Sequence, residues 1–222
     1  MQTPAPGGGL KKSPSQPNSP RKTPLPGSGI APACFVPVKA QIMSTTFSDD
    51  VRQKLNFIFG RRSIRVYRPG PIPEEWVRIL LEAAMAAPSA AAKDPWRFVV
   101  IRRPSTLHAV AEALPHGGFL REAVLGIVVC GDLEAAHDRQ LSYLLQDCGA
   151  ATENLLLAAH ILGLGACWLG IHPREDRIRR ISALLELPRT VLPVAAVAVG
   201  WPGEDKPPRT RFEAAYVHFE KW

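Results

Sequence analysis

The chain has 222 residues, 46% of them hydrophobic, and a formal net charge of +7. That charge does not mark a phosphate-backbone binder: residues 1–42 hold five basic side chains and no acid, leaving 22 basic against 20 acidic residues in 43–222. No apolar run reaches the roughly eighteen residues of a membrane span, and four scattered cysteines without a C-x-x-C pair argue against a zinc or iron–sulfur centre. Neither a nucleic-acid partner nor a membrane is expected. Cys130, Cys148 and Cys167 lie in apolar segments and read as reduced core residues, which fits a cytoplasmic protein.

Residues 1–42 contain nine prolines and one aromatic residue, Phe35. So little apolar surface cannot offset the entropy of ordering, so the segment is expected to be a disordered basic extension. Met43 opens "MSTTFSDDVRQKLNFIF", a stretch suited to begin a folded domain, so a start at Met43 is an alternative reading. The folded domain is expected over 43–222.

Ser48 is expected to cap a helix running to about Phe59, with Asp49 and Asp50 at its positive end and Gly60 closing it. "GRRSIRVYR" (60–68) follows, with four arginines and a serine in nine residues. Alone it reads either as a solvated basic loop or as an anion site, since arginine forks match phosphate oxygens. Pro73, Glu74 and Glu75 open a second helix with Val77, Leu80, Leu81 and Ala84 on one face. "AAPSAAAKDPWRFVVI" (86–101) is a proline-bounded loop leading to a strand at 98–103. Ser105 should cap a short helix to about Leu114, and 125–131 reads as a strand.

A long helix is expected from about Ala135 to Leu162. Leu141, Leu144, Leu145, Cys148, Thr152, Leu155, Ala159 and Leu162 form one stripe, which Leu156, Leu157 and Ile161 widen beyond a single face. A second subunit is the expected cover. Residues 166–171 read as a strand, Pro173 begins a helix to about Leu187, and 191–201 read as a strand buried on both faces. Arg209 and Arg211 lie two apart, on one side of an extended segment. Phe212, Tyr216, Phe219 and Trp222 then need something to cover them. Trp76, Trp96 and Trp168 read as core and His160 as a structural residue of its helix. His172 is the histidine to test for substrate contact.

"RRSIRVYRPGPIPEE", "APSA…PWRFVVI", "QDCGAATENLLLAAHILGLGACWLG" and "VGWPGEDKPPRTRF", in that order, resemble the motifs of the FMN-dependent nitroreductase family from about Phe47 to Trp222. The resemblance implies an α+β fold, a three-layer α/β/α sandwich, built as an intertwined homodimer with FMN at the subunit interface and the aromatic tail crossing to the partner. It implies that Arg61, Arg62 and Ser63 hold the phosphate and ribityl end, with Arg209 and Arg211 on the phosphate's other side and Arg65 at the pyrimidine edge. Pro88 and Ser89, from the other subunit, would line the ring, and Leu169 and Gly170 would present backbone N–H groups to it. The implied reaction is ping-pong: NAD(P)H gives hydride to the flavin, which then reduces a small-molecule acceptor such as a nitroaromatic or quinone. No catalytic side chain is implied, because the flavin carries the chemistry.

The sequence departs from the family at Ala92, where asparagine is usual, and at Asp94, where glutamine is frequent. Alternatives are a flavin-binding sensor or reservoir without turnover, or flavin fragmentation, dehalogenation or azoline oxidation on the same fold. A basic tail recruiting an acidic partner is a third class.

Overall fold

Two strands buried on both faces set the architecture. β3 (Leu125–Asp132) and β5 (Val191–Pro202) consist largely of Val, Ala, Leu and Ile and pair antiparallel from Leu125↔Val199 to Asp132↔Val191, with a bulge between Val129 and Cys130. β2 (Trp96–Ile101) lies antiparallel on the other edge of β3, and β4 (Gly165–Gly170) lies antiparallel to β5. β1, only Tyr67–Arg68, pairs with the last residues of β5. The computed structural model describes residues 49–222. The expected extension over 1–42, the start at Met43 and the cap at Ser48 lie outside the described residues.

Strand alternation sends side chains into two cores. Leu125, Ile127, Val129, Val197 and Val199 pack in one core with the buried faces of α3 (Glu74–Met85) and α5 (Leu141–Ile161). Val128, Cys130, Ala196 and Ala198 pack in the other with α4 (Pro104–Ala113) and α6 (Glu175–Leu184). The result is the expected α/β/α sandwich of α+β class around an antiparallel sheet. Contact between β3 and α5 is tight: a Cβ at Gly131 would stand 2.4 Å from Leu144 Cγ. Burial pushes the Cys130 and Cys148 thiols up to about 12, so both are inert core residues as expected.

Several boundaries differ from expectation. The first helix breaks at Leu55 (φ −90°, ψ 0°) into α1 (Asp49–Lys54) and α2 (Asn56–Phe59). Ser105 is not a cap, because Pro104 occupies the first turn and Arg103 precedes it. The long helix starts at Leu141 because Asp138 and Arg139 adopt left-handed φ of 49° and 52° just before it. β2 begins at Trp96, two residues early, and Trp96 is buried as expected.

Candidate functional site

Ser63 bridges in parallel to Ala166 of β4, and Ile64 N–H donates to the Ala166 carbonyl at 3.0 Å. The arginine-rich segment therefore lies along the outer edge of β4. Ile64 and Tyr67 anchor it from below: both are buried, and the Tyr67 hydroxyl donates to the Ile64 carbonyl at 2.7 Å. Burial, with the neighbouring Cys167, pushes the Tyr67 phenol far above its ordinary range, so it remains a neutral donor. With these two residues facing inward, the arginines face outward.

The opposite wall comes from the turn after β5. Gly203 N–H donates to the Val66 carbonyl at 2.8 Å, and a Cβ there would meet Val66 Cγ1 at 2.9 Å, so the close approach needs glycine. Lys206 Nζ donates to the Ser63 carbonyl and to Glu204 Oε1, both at 2.8 Å, while the same Glu204 oxygen accepts from Arg65 N–H at 2.7 Å. Hydrogen bonding from Lys206, then from Arg65 N–H, holds the Glu204 carboxyl below its usual range. This bracket locks the turn to the arginine segment.

Between the walls lies a cleft of about 450 Å³ lined by Gly60, Arg61, Arg62, Arg68, His160 and Lys206 among others. Arg61 Nε is 3.3 Å from Glu153, and Arg62 donates to the Pro207 carbonyl. Burial and the nearby Arg61 cation lower the His160 pKa, so the imidazole is neutral at pH 7. Reading His160 as merely structural missed this place on the cleft wall. Lys206, Glu204 and Arg68 were also missed; the run "GEDK" immediately after a buried strand was the available signal for the first two.

The remaining expected residues fall into three places. Arg209 N–H donates to the Phe59 carbonyl at 3.2 Å, which brings the tail beside Arg61, whereas Arg211 is exposed with no polar partner among the described residues. Arg65 extends past β4, its guanidinium 5.8 Å from the Phe119 ring, into a depression of about 180 Å³ that Leu169, Gly170, Trp168, His116 and Arg177 also line. Past Ala166 no strand pairs with the outer edge of β4 among the described residues, so main-chain groups there face outward. Trp168 is not core: it is 39% exposed between buried Cys167 and Leu169, on the alternate face of an edge strand.

Pro88 and Ser89 lie elsewhere. Their loop rests on Asp147 near the start of α5, where Ala90 N–H donates to Asp147 Oδ1 at 3.0 Å. His160, on the cleft, is thirteen residues further along α5, a rise of about 20 Å. One copy of the chain therefore does not bring Pro88 and Ser89 to its own arginine cleft. His172 lies in neither lining. Among the described residues no cluster of His, Cys, Asp and Glu could hold a metal ion, and no helix is long and apolar enough to cross a membrane.

The sequence profile of the Nitroreductase family matches residues 58–118 and 107–201. The chain belongs to the nitroreductase family. A relative from Methanothermobacter thermautotrophicus, named "Putative NADH dehydrogenase/NAD(P)H nitroreductase", is 40% identical over 168 residues, covering 76% of this chain and 87% of the relative. An NADH dehydrogenase of Thermus thermophilus is 34% identical over 184 residues, covering 68% of this chain and 87% of that protein. Among solved structures, a nitroreductase-family chain of Desulfovibrio desulfuricans, solved "in complex with fmn", shares 35% identity at a TM-score of 0.65. It is matched over 76% of this chain and 96% of its own length.

Proposed function

We propose that this member of the nitroreductase family is an FMN-dependent oxidoreductase that passes hydride from NAD(P)H to an acceptor such as a nitroaromatic or quinone, working as a homodimer. The arginine segment fixed along the edge of β4 is the observation that carries the reading. Its cleft fits a phosphate-bearing ligand in three ways. Four cations line it against two carboxylates, one of which, Glu204, is already bound to Lys206. Its volume lies in the range of about 300–1,000 Å³ common for small-molecule sites. Beside it the open edge of β4 offers main-chain groups to a planar ring.

When bound, FMN supplies reversible two-electron chemistry. Arg61, Arg62 and Ser63 would hold its phosphate, with Arg209 and Arg211 closing from the tail, and Lys206 keeps the turn in place. Arg65, fixed through its own N–H to Glu204, carries a cation towards the edge of β4, where it favours negative charge on a ring lying there. Leu169 and Gly170 would provide main-chain donors. Pro88 and Ser89 would reach this site from the second copy.

The homodimer is supported by apolar surface that one copy leaves open. Leu141, Tyr143 and Ile161 of α5 are exposed, as are Phe212, Tyr216 and Trp222 of the tail. The test is a visible spectrum of the purified protein followed by anaerobic addition of NADH or NADPH. Flavin bands that bleach, then recover with a quinone or nitroaromatic, are the expected result. A protein that neither carries nor takes up FMN would overturn the reading.

A further inference from the structure

We propose that Asp147 is a positioning residue for the loop that carries Pro88 and Ser89, kept for geometry at the expense of stability. The proposal rests on the FMN reading above. Asp147 is 5% exposed on a face of α5 that also buries Leu144, Cys148 and Ala151. Its Oδ1 accepts from Ala90 N–H, while its Oδ2 is buried with no hydrogen-bond partner among the described residues. No cation pairs with it among the described residues, and the guanidinium of nearby Arg97 is already engaged by Asp132 and the carbonyls of Asp94 and Trp96. A buried carboxylate satisfied at one oxygen is a poor stabiliser. Retaining it calls for another reason.

That reason is the segment it holds. Directly after Ala90, Ala91 and Ala92 adopt φ of 50° and 51°, a region that residues other than glycine, asparagine and aspartate seldom enter, and Asp94 follows at 48°. Such a turn is not its sequence's own preference and persists only where anchors over-determine it. Ser89 and Asp94 close it by exchanging two hydrogen bonds. Asp147 fixes its entry. Two turns along the same helix, Asn154 Nδ2 donates to the Ala83 carbonyl at 3.1 Å in the last turn of α3. The two polar groups on α5 are seven residues apart and grip residues 83 and 90, also seven apart, bracketing Pro88 and Ser89. The ring-lining segment is thus referenced to the rigid long helix at both ends.

The test compares the FMN-loaded wild type with Asp147→Leu and Asp147→Asn. Leucine removes the acceptor and the unpartnered oxygen; asparagine keeps an acceptor for Ala90 N–H. For the leucine variant the expected result is a Tm equal to or above wild type and retained FMN. Its amides at Ala90–Ala92 should exchange at least tenfold faster, and kcat with a quinone should fall by about tenfold. The asparagine variant should recover amide protection and kcat to within about threefold of wild type. A leucine variant that loses Tm, FMN and kcat together would show a merely structural role and overturn the proposal. So would one that matches wild type in exchange and kcat. If the wild type binds no FMN, it is the FMN reading that fails; the exchange arm still decides whether Asp147 holds the turn.

Discussion

Ala92 shows how backbone and chemistry meet at one residue. At φ 51° it occupies the left-handed region, where asparagine is the best tolerated side chain after glycine. The asparagine that the family resemblance puts here therefore has a backbone reason besides any contact with a ring. Ala92→Asn is expected to stabilise the fold by about 0.5 kcal/mol, a Tm rise of about 1–2 °C for a domain of this size. A thermal melt that falls instead would show that the asparagine finds no left-handed site to occupy. At this scale the arginines were legible because four guanidinium groups in nine residues stay a charge cluster whatever the local fold. Lys206, Glu204 and His160 were not, since their roles arise only when the turn at 203–206 closes on Ser63. Asp147 could have been noticed as one of only two acids in an apolar helix, but nothing in the sequence says which backbone N–H it meets.

Among elements, the long runs were readable and the short pairings were not. β3, β5 and α5 announce themselves through sustained apolar pattern, the two strands because each is covered on both faces. β1 has two residues and exists only through Tyr67↔Pro202 and Arg68↔Trp201, a partnership across the whole domain. Helix ends moved where left-handed residues or a proline intervened, as at Arg139 and Pro104. The contact between β3 and α5 also carries a prediction. At Gly131 an added methyl collides with Leu144, which is fully buried and cannot swing away. Gly131→Ala should cost about 1–3 kcal/mol through overpacking, seen as a Tm lowered by several degrees. FMN uptake per folded molecule should be unchanged, because the collision lies in the core behind α5. An unchanged Tm would mean that strand and helix separate freely.

For the whole molecule, charge was the misleading quantity and order along the chain the informative one. The formal +7 belongs mostly to residues 1–42, whereas four motifs in sequence identified the family. Within one chain Pro88 and Arg61 lie towards opposite ends of α5, since the anchors beside them, Asp147 and His160, are about 20 Å apart along it, so the proposed pairing of the two requires a second copy. A site shared between copies predicts complementation. Arg61→Ala/Arg62→Ala chains and Pro88→Gly/Ser89→Ala chains should each be nearly inactive alone. Refolded together, half of the dimers are mixed, and each restores one of its two sites, giving about a quarter of wild-type activity. Mixtures no more active than their parents would place each site within a single copy. The walls of the arginine cleft come from residues 60–68 and 202–209, close to the two ends of the folded domain and tied by Gly203–Val66 and Arg209–Phe59 bonds. An anion lodged there would act as a clasp, so loading the cleft is expected to slow proteolysis at the tie between Arg209 and Phe59, and emptying it to loosen both segments together.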